Sequence, residues 1–317
     1  MHCEMSQPIN LYHTMTYTKD FSIIVPTWRG AIKFLPKLFD SIPEKEGIEI
    51  IVVDNSKEPV CREEIMSDRD IIFLHSAPGR HAGGSRNEGM DAAHGKWLVF
   101  ADADDYFTEK AFDVFDSHIN SPADVIYFTA QGIYEDGSYS TRGDQYKRMV
   151  GEFLRNPQAE FDLRTCFSVP WAKMVRREFV EKEKIRFDEV VAANDAFFSL
   201  QTGFLASKVE ADEKVVYMVT TSKGSLTKRK DLAAIRSRYM VGLRKNRFLK
   251  DHGRPDLQAS VMVYIIDALH IGIKPFFSFI WQAIKYKQNL LIGMSRWFGS
   301  YKKKRQEEKK DKDYYTK

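Results

Sequence analysis

The sequence predicts an α/β fold: a Rossmann-like, mostly parallel sheet flanked by helices, with a helical C-terminal extension. Three observations predict it. Residues 21–130 alternate short apolar runs with stretches of helix length, the pattern of strands joined by crossover helices. The apolar runs are nearly continuous and rich in β-branched residues, as strands buried on both faces are. Polar segments follow the runs, at the carboxyl ends where such sheets bind ligands.

Taken in order, strands are expected over 21–25, 48–53, 71–74, 97–101 and 124–128. Between them, 31–42 and 85–94 read as helices, the second opening on the capping-box pattern Ser85-Arg-Asn-Glu88 and stopping at Gly95. Residues 132–164 look loop-rich, 171–182 helical, and Asn194-Asp195 precedes an apolar helix over 196–206. A strand over 214–220 and a basic helix over 230–250 follow. Residues 257–298 are apolar and aromatic, interrupted at Pro275 and Gly293, and no internal repeat is visible. The expected organisation is an N-terminal segment (1–19), a catalytic-size domain (20–227, in halves 20–130 and 131–227), a basic and aromatic helical extension (228–300) and a charged tail (301–317). The tail reads as a frayed helix or disordered chain.

Hydrophobic residues at 43% and charged residues at 29% exclude disorder as the general state. Residues 1–20 lack the apolar run of a signal peptide, and no uncharged stretch reaches the roughly 18–20 residues of a membrane span. Cys3, Cys61 and Cys166 are odd in number and far apart, which suggests a reducing compartment and a cytoplasmic protein without structural zinc. The net charge of +4 is uneven: residues 228–254 hold ten Lys/Arg against two acids, and 301–317 hold eight against four. Such runs suit an anionic membrane surface or nucleic acid, or are simply solvated helix faces. No nucleic-acid module is recognisable, so that partner is not expected.

Asp102-Ala103-Asp104-Asp105 directly follows the strand 97–101. Side chains at i and i+2 of extended chain point the same way, so Asp102 and Asp104 converge at a strand's carboxyl end. Two carboxylates there suit Mg2+ or Mn2+ bridging to phosphate oxygens, although Asp-rich strand ends are also common turns. Pro26-Thr27-Trp28-Arg29-Gly30, Asp54-Asn55-Ser56 and Gly83-Gly84-Ser85-Arg86-Asn87 form a polar rim suited to a nucleotide. In it Asp54 would accept from base or ribose, and Arg86 would offer its planar fork to phosphate. Each also has a plain structural alternative as turn proline, strand-end acid or surface arginine. Asp195 stands at the start of a helix, where the dipole favours the ionised form and a carboxylate could accept a proton. A helix N-cap is the alternative. His75, His81, His94 and Cys166 have no partner at ligand spacing and read as structural.

Four blocks carry a family resemblance: Phe21-Ser-Ile-Ile-Val-Pro26; Glu49-Ile-Ile-Val-Val-Asp-Asn-Ser56; Ser85-Arg-Asn-Glu-Gly89 with Ala92-Ala-His-Gly95; and Phe100-Ala-Asp-Ala-Asp-Asp105. In order and spacing they resemble the family 2 glycosyltransferases of GT-A fold, of the kind that builds bacterial surface polysaccharide. The resemblance is strong over 20–130 and continues weakly through Phe167-Ser-Val-Pro-Trp-Ala-Lys173, Asn194-Asp195 and Tyr217…Gly224-Ser-Leu-Thr227. It implies inverting, metal-dependent transfer of a sugar from a nucleotide-diphosphate donor, a UDP-sugar by resemblance, to a saccharide or polyprenyl-linked acceptor. It also implies that Pro26, Thr27 and Asp54 line the base pocket and that Arg86 approaches the diphosphate. Asp102 and Ala103 would lie against the donor, Asp102 near ribose and metal, with Asp104 the principal ligand of Mn2+ or Mg2+. Asp195 would be the general base. Thr27-Trp28-Arg29 departs from a commoner small-aromatic-Asn run, and Asn194 stands where an acid often precedes the base.

Two other functions compete. A nucleotide-sugar-forming nucleotidyltransferase would carry a Gly-rich, basic loop where this chain has Pro26-Thr27-Trp28, and an inactive sugar- or nucleotide-binding scaffold would not need Asp102, Asp104 and Asp195 together. A dehydrogenase is not expected, because no G-x-G-x-x-G follows the first strand. Near the C-terminus, Phe276, Phe277, Phe279, Ile280, Trp281, Ile284, Leu290, Leu291, Trp297 and Phe298 are mixed with Lys274, Lys285, Lys287 and Arg296. Apolar anchors among basic residues suit a helix lying in a membrane interface near acidic lipids, which would make the protein peripheral at the inner face of the membrane. A helical layer over the catalytic domain or an oligomer contact would use the same residues.

Overall fold

The computed structural model describes residues 17–65, 67–221 and 229–292. The first apolar runs form strands β1 (Lys19–Thr27), β2 (Ile48–Asp54), β3 (Ile72–His75) and β4 (Gly95–Phe100). β1 lies parallel between β2 and β4, and β3 continues the sheet beyond β2. β1 and β2 are buried almost end to end, as expected of strands covered on both faces. Register aligns Thr27 with Asp54 and Ile24 with Phe100, so the polar segments after β1, β2 and β4 leave the sheet side by side. At the opposite edge Glu49 Oε1 accepts from Ser22 Oγ (2.5 Å) and from the His94 amide (2.5 Å), pinning the three strands together.

Helices α1 (Leu35–Asp40) and α2 (His81–Asp91) pack beside these strands. α2 begins four residues before the expected Ser85 start. Ser85 lies inside it and donates back to the His81 carbonyl (3.3 Å), so no capping box forms. Gly83 and Gly84 read as loop but lie inside this helix, where a Cβ on Gly83 would overlap the carbonyl oxygen of Asp188 and one on Gly84 would press on the Arg80 side chain. The helix stops at Asp91; Gly95 instead opens β4, where a Cβ would press on the Ser22 backbone.

The second half adds β5 (Tyr106–Phe107), α3 (Ala111–Ser117), β6 (Val125–Tyr134), β7 (Tyr139–Ser140), α4 (Asp144–Arg155), α5 (Glu160–Cys166), β8 (Lys173–Arg176), α6 (Arg177–Lys182), α7 (Ala196–Leu205) and β9 (Val209–Thr221). The strand order is β3-β2-β1-β4-β8-β6-β9-β5, with β7 on β6. The parallel arrangement holds for β1 to β4 and for β6 with β9, whereas β8 runs antiparallel between β4 and β6. Two expectations fail here. Residues 132–164 are not loop-rich: α4 and α5 occupy most of the span, and α4 was hidden by polar composition, burying only Tyr146 and Val150. Residues 171–182 are not one helix. Lys173–Arg176 pair as a central strand, with Trp97 opposite Arg176 and Val125 opposite Val175, and only Arg177–Lys182 is helical.

The C-terminal region is α8 (Leu232–Asp251), α9 (Met262–Ile271) and α10 (Ile273–Lys285). Asp231 caps α8 by accepting from the Ala234 amide (3.1 Å). Pro275 does not interrupt: it sits in the first turn of α10, where its missing N–H has no intrahelical partner to lose. One hydrophobic core runs from Phe21 to Val219, and a second from Ile235 to Phe279 is built by the last three helices. The expected segment 1–16, the block Gly224–Thr227, the interruption at Gly293, the anchors Arg296, Trp297 and Phe298 and the tail 301–317 lie outside the described residues.

Candidate active site

The chain leaves β4 at Phe100 and passes through Ala101 into Asp102. The Asp102 amide donates to the hydroxyl of Tyr217 on β9 (2.8 Å), which fixes the turn that presents the acids. Ala103 is buried, as a small residue between two outward carboxylates must be. Asp104 is exposed at the rim, yet surrounding protein and the charge of Asp102 push its pKa up, against the pull of Arg142. Asp105 points inward, accepts from the Thr220 amide (2.7 Å), and is driven well above the usual carboxylate range by burial and by Asp104.

Arg86 joins the separate parts of the site. Its buried guanidinium donates through Nη2 to Asp102 (2.6 Å) and through Nη1 to the side-chain oxygen of Asn194 (2.8 Å), and its face lies 5.4 Å from the Phe187 ring. Both Nη groups are thereby engaged inside the protein, so the geometry gives Arg86 a clamping task rather than a free fork for phosphate. Asn87, the next residue, accepts from the Phe187 amide (2.8 Å) and donates to its carbonyl (3.1 Å). The Ser-Arg-Asn sequence of α2 therefore binds the segment 187–195 to the strand-end acids.

Asp195 occupies the N-cap position of α7 but makes no capping hydrogen bond. Its carboxyl is held among protein atoms and its pKa is raised by burial and by Asp102, while Arg86 and Lys173 oppose the rise. The helix start was expected to favour ionisation. Desolvation outweighs it.

The base-pocket residues differ among themselves. Thr27 is buried with its hydroxyl unpartnered among the described residues, at the end of β1 just after Pro26. Asp54 is also buried, but Oδ1 accepts from Ser56 N (3.1 Å) and Oγ (2.5 Å), and Oδ2 accepts from Val60 N (2.9 Å) and faces His75 Nδ1 (3.3 Å). With four neighbours its lone pairs are spoken for, and Asp54 shapes the loop after β2. Trp28 is 59% exposed beside them. His94 faces Glu49 Oε2 (3.1 Å), so His75 and His94 both take structural acid partners.

Several residues at this site were not singled out from the sequence. Lys173 is fully buried, donates to the Phe167 carbonyl (2.8 Å), and has its pKa lowered to about 7 by desolvation, with Asp195 pulling it back up. Lys245 of α8 is likewise depressed by burial and feels Asp195 and Cys166. Arg244 beside it pairs with buried Asp188 (2.8 Å). The basic helix, read as a surface feature, thus supplies two cations to the catalytic side. Trp171 stacks on Tyr217 at 5.6 Å, so the block Phe167–Lys173 builds the aromatic wall behind Asp102.

Among the described residues no three His, Cys, Asp or Glu side chains gather into a closed metal cage. Phosphate-bound Mg2+ and Mn2+ are commonly held by one or two carboxylates plus substrate oxygens, so a closed cage is not required. The mutual repulsion registered at Asp104 from Asp102 is what a dication would relieve. The pair fits such an ion as an open half-site.

A sequence profile described as Glycosyl transferase family 2 matches residues 22–183. Among curated relatives, "Uncharacterized glycosyltransferase EpsJ" of Bacillus subtilis is 26% identical over 220 residues, covering 65% of this chain and 62% of EpsJ. "Poly(ribitol-phosphate) beta-N-acetylglucosaminyltransferase TarS" of Staphylococcus aureus is 23% identical over 215 residues, 64% of this chain and 36% of TarS. The chain spans less than two thirds of the length of either relative. Among solved structures, S. aureus TarS 1-349 in complex with UDP-GlcNAc superposes with a TM-score of 0.56 at 20% identity, covering 79% of this chain and 66% of that one. Mannosyltransferase PcManGT from Pyrobaculum calidifontis, in complex with GDP-Man and Mn2+, gives 0.50 at 15% identity, covering 88% and 83%. At these identities the superpositions establish the shared fold.

Proposed function

The chain belongs to glycosyl transferase family 2, and from that premise we propose that it transfers a sugar, with inversion, from a nucleotide-diphosphate donor to a saccharide or lipid-linked saccharide. The observation that carries the reading is the Arg86 clamp. One guanidinium touches both Asp102 and Asn194, so the strand-end acids and Asp195 share one edge of the sheet. A UDP-sugar is the donor we favour, supported by the UDP-GlcNAc complex of the TarS neighbour. Surface-polysaccharide assembly is the setting we favour for it.

In this mechanism Thr27, with its unpartnered hydroxyl, and Pro26 face the base, and Trp28 offers a stacking surface. A divalent cation, Mn2+ or Mg2+, held by Asp102 and Asp104, would supply positive charge to the leaving diphosphate. Arg86 keeps Asp102 in place, and Ala103 leaves room between the acids. Asp195 takes the proton of the acceptor hydroxyl as that oxygen attacks the anomeric carbon; a single displacement with one base inverts configuration. Its raised pKa makes it the stronger base. Lys173 lies behind it and, with Arg86, draws its pKa back down.

Residues 20–227 would form the transferase domain and 228–300 its helical extension, matching the two separate cores. No helix among the described residues is long and apolar enough to cross a membrane. The extension would instead hold a cytoplasmic enzyme against the anionic inner face of a membrane, where a polyprenyl-linked acceptor resides.

The deciding experiment is hydrolysis of a panel of nucleotide sugars with Mn2+, with and without EDTA. One donor should be preferred, chelation should abolish turnover, and Asp104→Ala should lose at least a hundredfold. Asp195→Asn should bind donor with unchanged affinity by calorimetry yet transfer poorly. Turnover that survives EDTA would remove the metal, and normal transfer by Asp195→Asn would remove the base.

A further inference from the structure

A cleft of about 630 Å3 lies between α4 and β9, with Thr129 of β6 against it. Its walls carry Lys147, Arg148, Arg155 and Lys214 against the acids Asp144 and Glu213. Asp144 is already engaged by the Tyr139 hydroxyl. None of the four cations has an ion-pair partner among the described residues, whereas Arg29, Arg80, Arg164 and Arg177 each hold a glutamate. Four cations against two acids leave the cleft with a net positive charge, which a bound polyanion relieves.

Gly151 gives a second, independent sign. It sits inside α4 on the cleft-facing stripe with Lys147 and Arg155, where glycine weakens a helix. Gly83, Gly132 and Gly203 are explained by backbone that a Cβ would strike, but a Cβ at Gly151 would meet only the tip of Arg155 at 3.4 Å. Nothing in the fold requires a glycine there. What it leaves is open space in the wall of a cationic cleft.

The position of the cleft ties it to the reaction. Asp144 on its wall is two residues from Arg142, which donates to the Thr220 carbonyl (2.5 Å), and the Thr220 amide in turn donates to Asp105 (2.7 Å). Along β9, Thr220 to Lys214 covers about 20 Å at roughly 3.3 Å per residue, a length that spans several sugar units. We infer that this cleft holds the acceptor, and that the acceptor is an acidic glycan bearing phosphate or carboxylate groups at intervals. Lys and Arg pair with either anion, Arg in bidentate fashion. The inference rests on the chain being a sugar transferase and adds the class of its acceptor.

The test measures binding of fluorescent short-chain polyphosphate, oligogalacturonate and neutral dextran of matched length to the full chain. At least one of the acidic probes should bind ten times more tightly than dextran at low salt, and weaken as salt rises. Polyphosphate alone would mark a phosphate-bearing acceptor, oligogalacturonate alone a uronate-bearing one. Lys147→Glu with Arg155→Glu should cost at least tenfold, and Gly151→Leu a similar amount by filling the cleft. Gly151→Ala should raise the Tm, reporting an intact helix, so a folded control exists even if the double variant unfolds. Donor hydrolysis without acceptor should be unchanged in every folded variant. Absence of donor hydrolysis in the unaltered protein would count against the transferase reading alone. Equal affinity for dextran, undiminished binding by Gly151→Leu, or tighter binding of duplex DNA than of either acidic probe would overturn the inference.

Discussion

As the proposed general base, Asp195 has two opposing demands on it: it must be ionised before the reaction and basic during it. Burial raises its pKa above 3.8, and Arg86 and Lys173 restrain the rise. A carboxylate so placed is a stronger base than an exposed one. The acid limb of kcat against pH should therefore lie above the ordinary carboxylate value. Lys173→Met, which removes one restraining cation, should move that limb to higher pH; no movement would show that Lys173 does not act on Asp195. Lys173 makes a second prediction, on stability. Its folded pKa of about 7 is below the unfolded value of 10.5, so between those limits the unfolded chain binds more protons and stability rises with pH. The Tm should climb from pH 7 to 9.5, and Lys173→Met should flatten the climb. Because polar residues ending an apolar run or preceding a helix stand out, and the family resemblance gave them roles, Asp102, Asp104 and Asp195 were singled out from the sequence as candidates. Lys173 and Lys245 were not: a lysine in an apolar stretch looks like a surface residue until its neighbours in space are known.

At the scale of elements, the joint between α2 and the segment before α7 holds the two halves of the site in register. Asn87 satisfies the Phe187 amide and carbonyl together, both buried. Asn87→Ala leaves them unpaired, and each such loss costs about 1–3 kcal/mol. The Tm should drop, and kcat should fall more than donor affinity, because the segment carrying Asn194 and Asp195 loosens while the strand ends do not. An equal loss in donor binding would mean that the joint serves the nucleotide instead. The strands β1 to β4 could be read from their unbroken apolar runs, since burial on both faces leaves little sequence freedom. β8 could not, because Lys173 and Arg176 give it the look of a helix and only its neighbours β4 and β6 make it a strand. α2 began earlier than its sequence suggested because Gly83 answers to the close approach of Asp188, a contact about a hundred residues away in sequence.

Across the whole molecule, polarity is distributed unevenly. Of thirteen exposed large apolar side chains among the described residues, nine fall between Ile266 and Leu291, although that stretch also forms part of the second core. On α10, Ile273, Phe277, Trp281 and Ile284 follow one another at helical spacing, each more than 60% exposed, while Phe279 and Ala283 face inward. An apolar ridge of this length is more than scattered surface hydrophobes provide. Lys274, Lys285 and Lys287 flank it, and each lysine near an anionic surface contributes about 1 kcal/mol. Apolar and cationic groups on one face answer the two components of an acidic bilayer, whereas a neutral protein partner would need only the first. The protein should therefore sediment with phosphatidylglycerol vesicles and only weakly with phosphatidylcholine. Phe277→Glu with Trp281→Glu should reduce that binding at least tenfold and leave donor hydrolysis in solution unchanged, since neither residue touches the acids of the site. High salt should weaken binding without abolishing it, because burial of the aromatic rings is not screened. A stable dimer in sedimentation velocity that the same two substitutions dissolve, together with vesicles left unbound, would assign the ridge to a second copy of the chain.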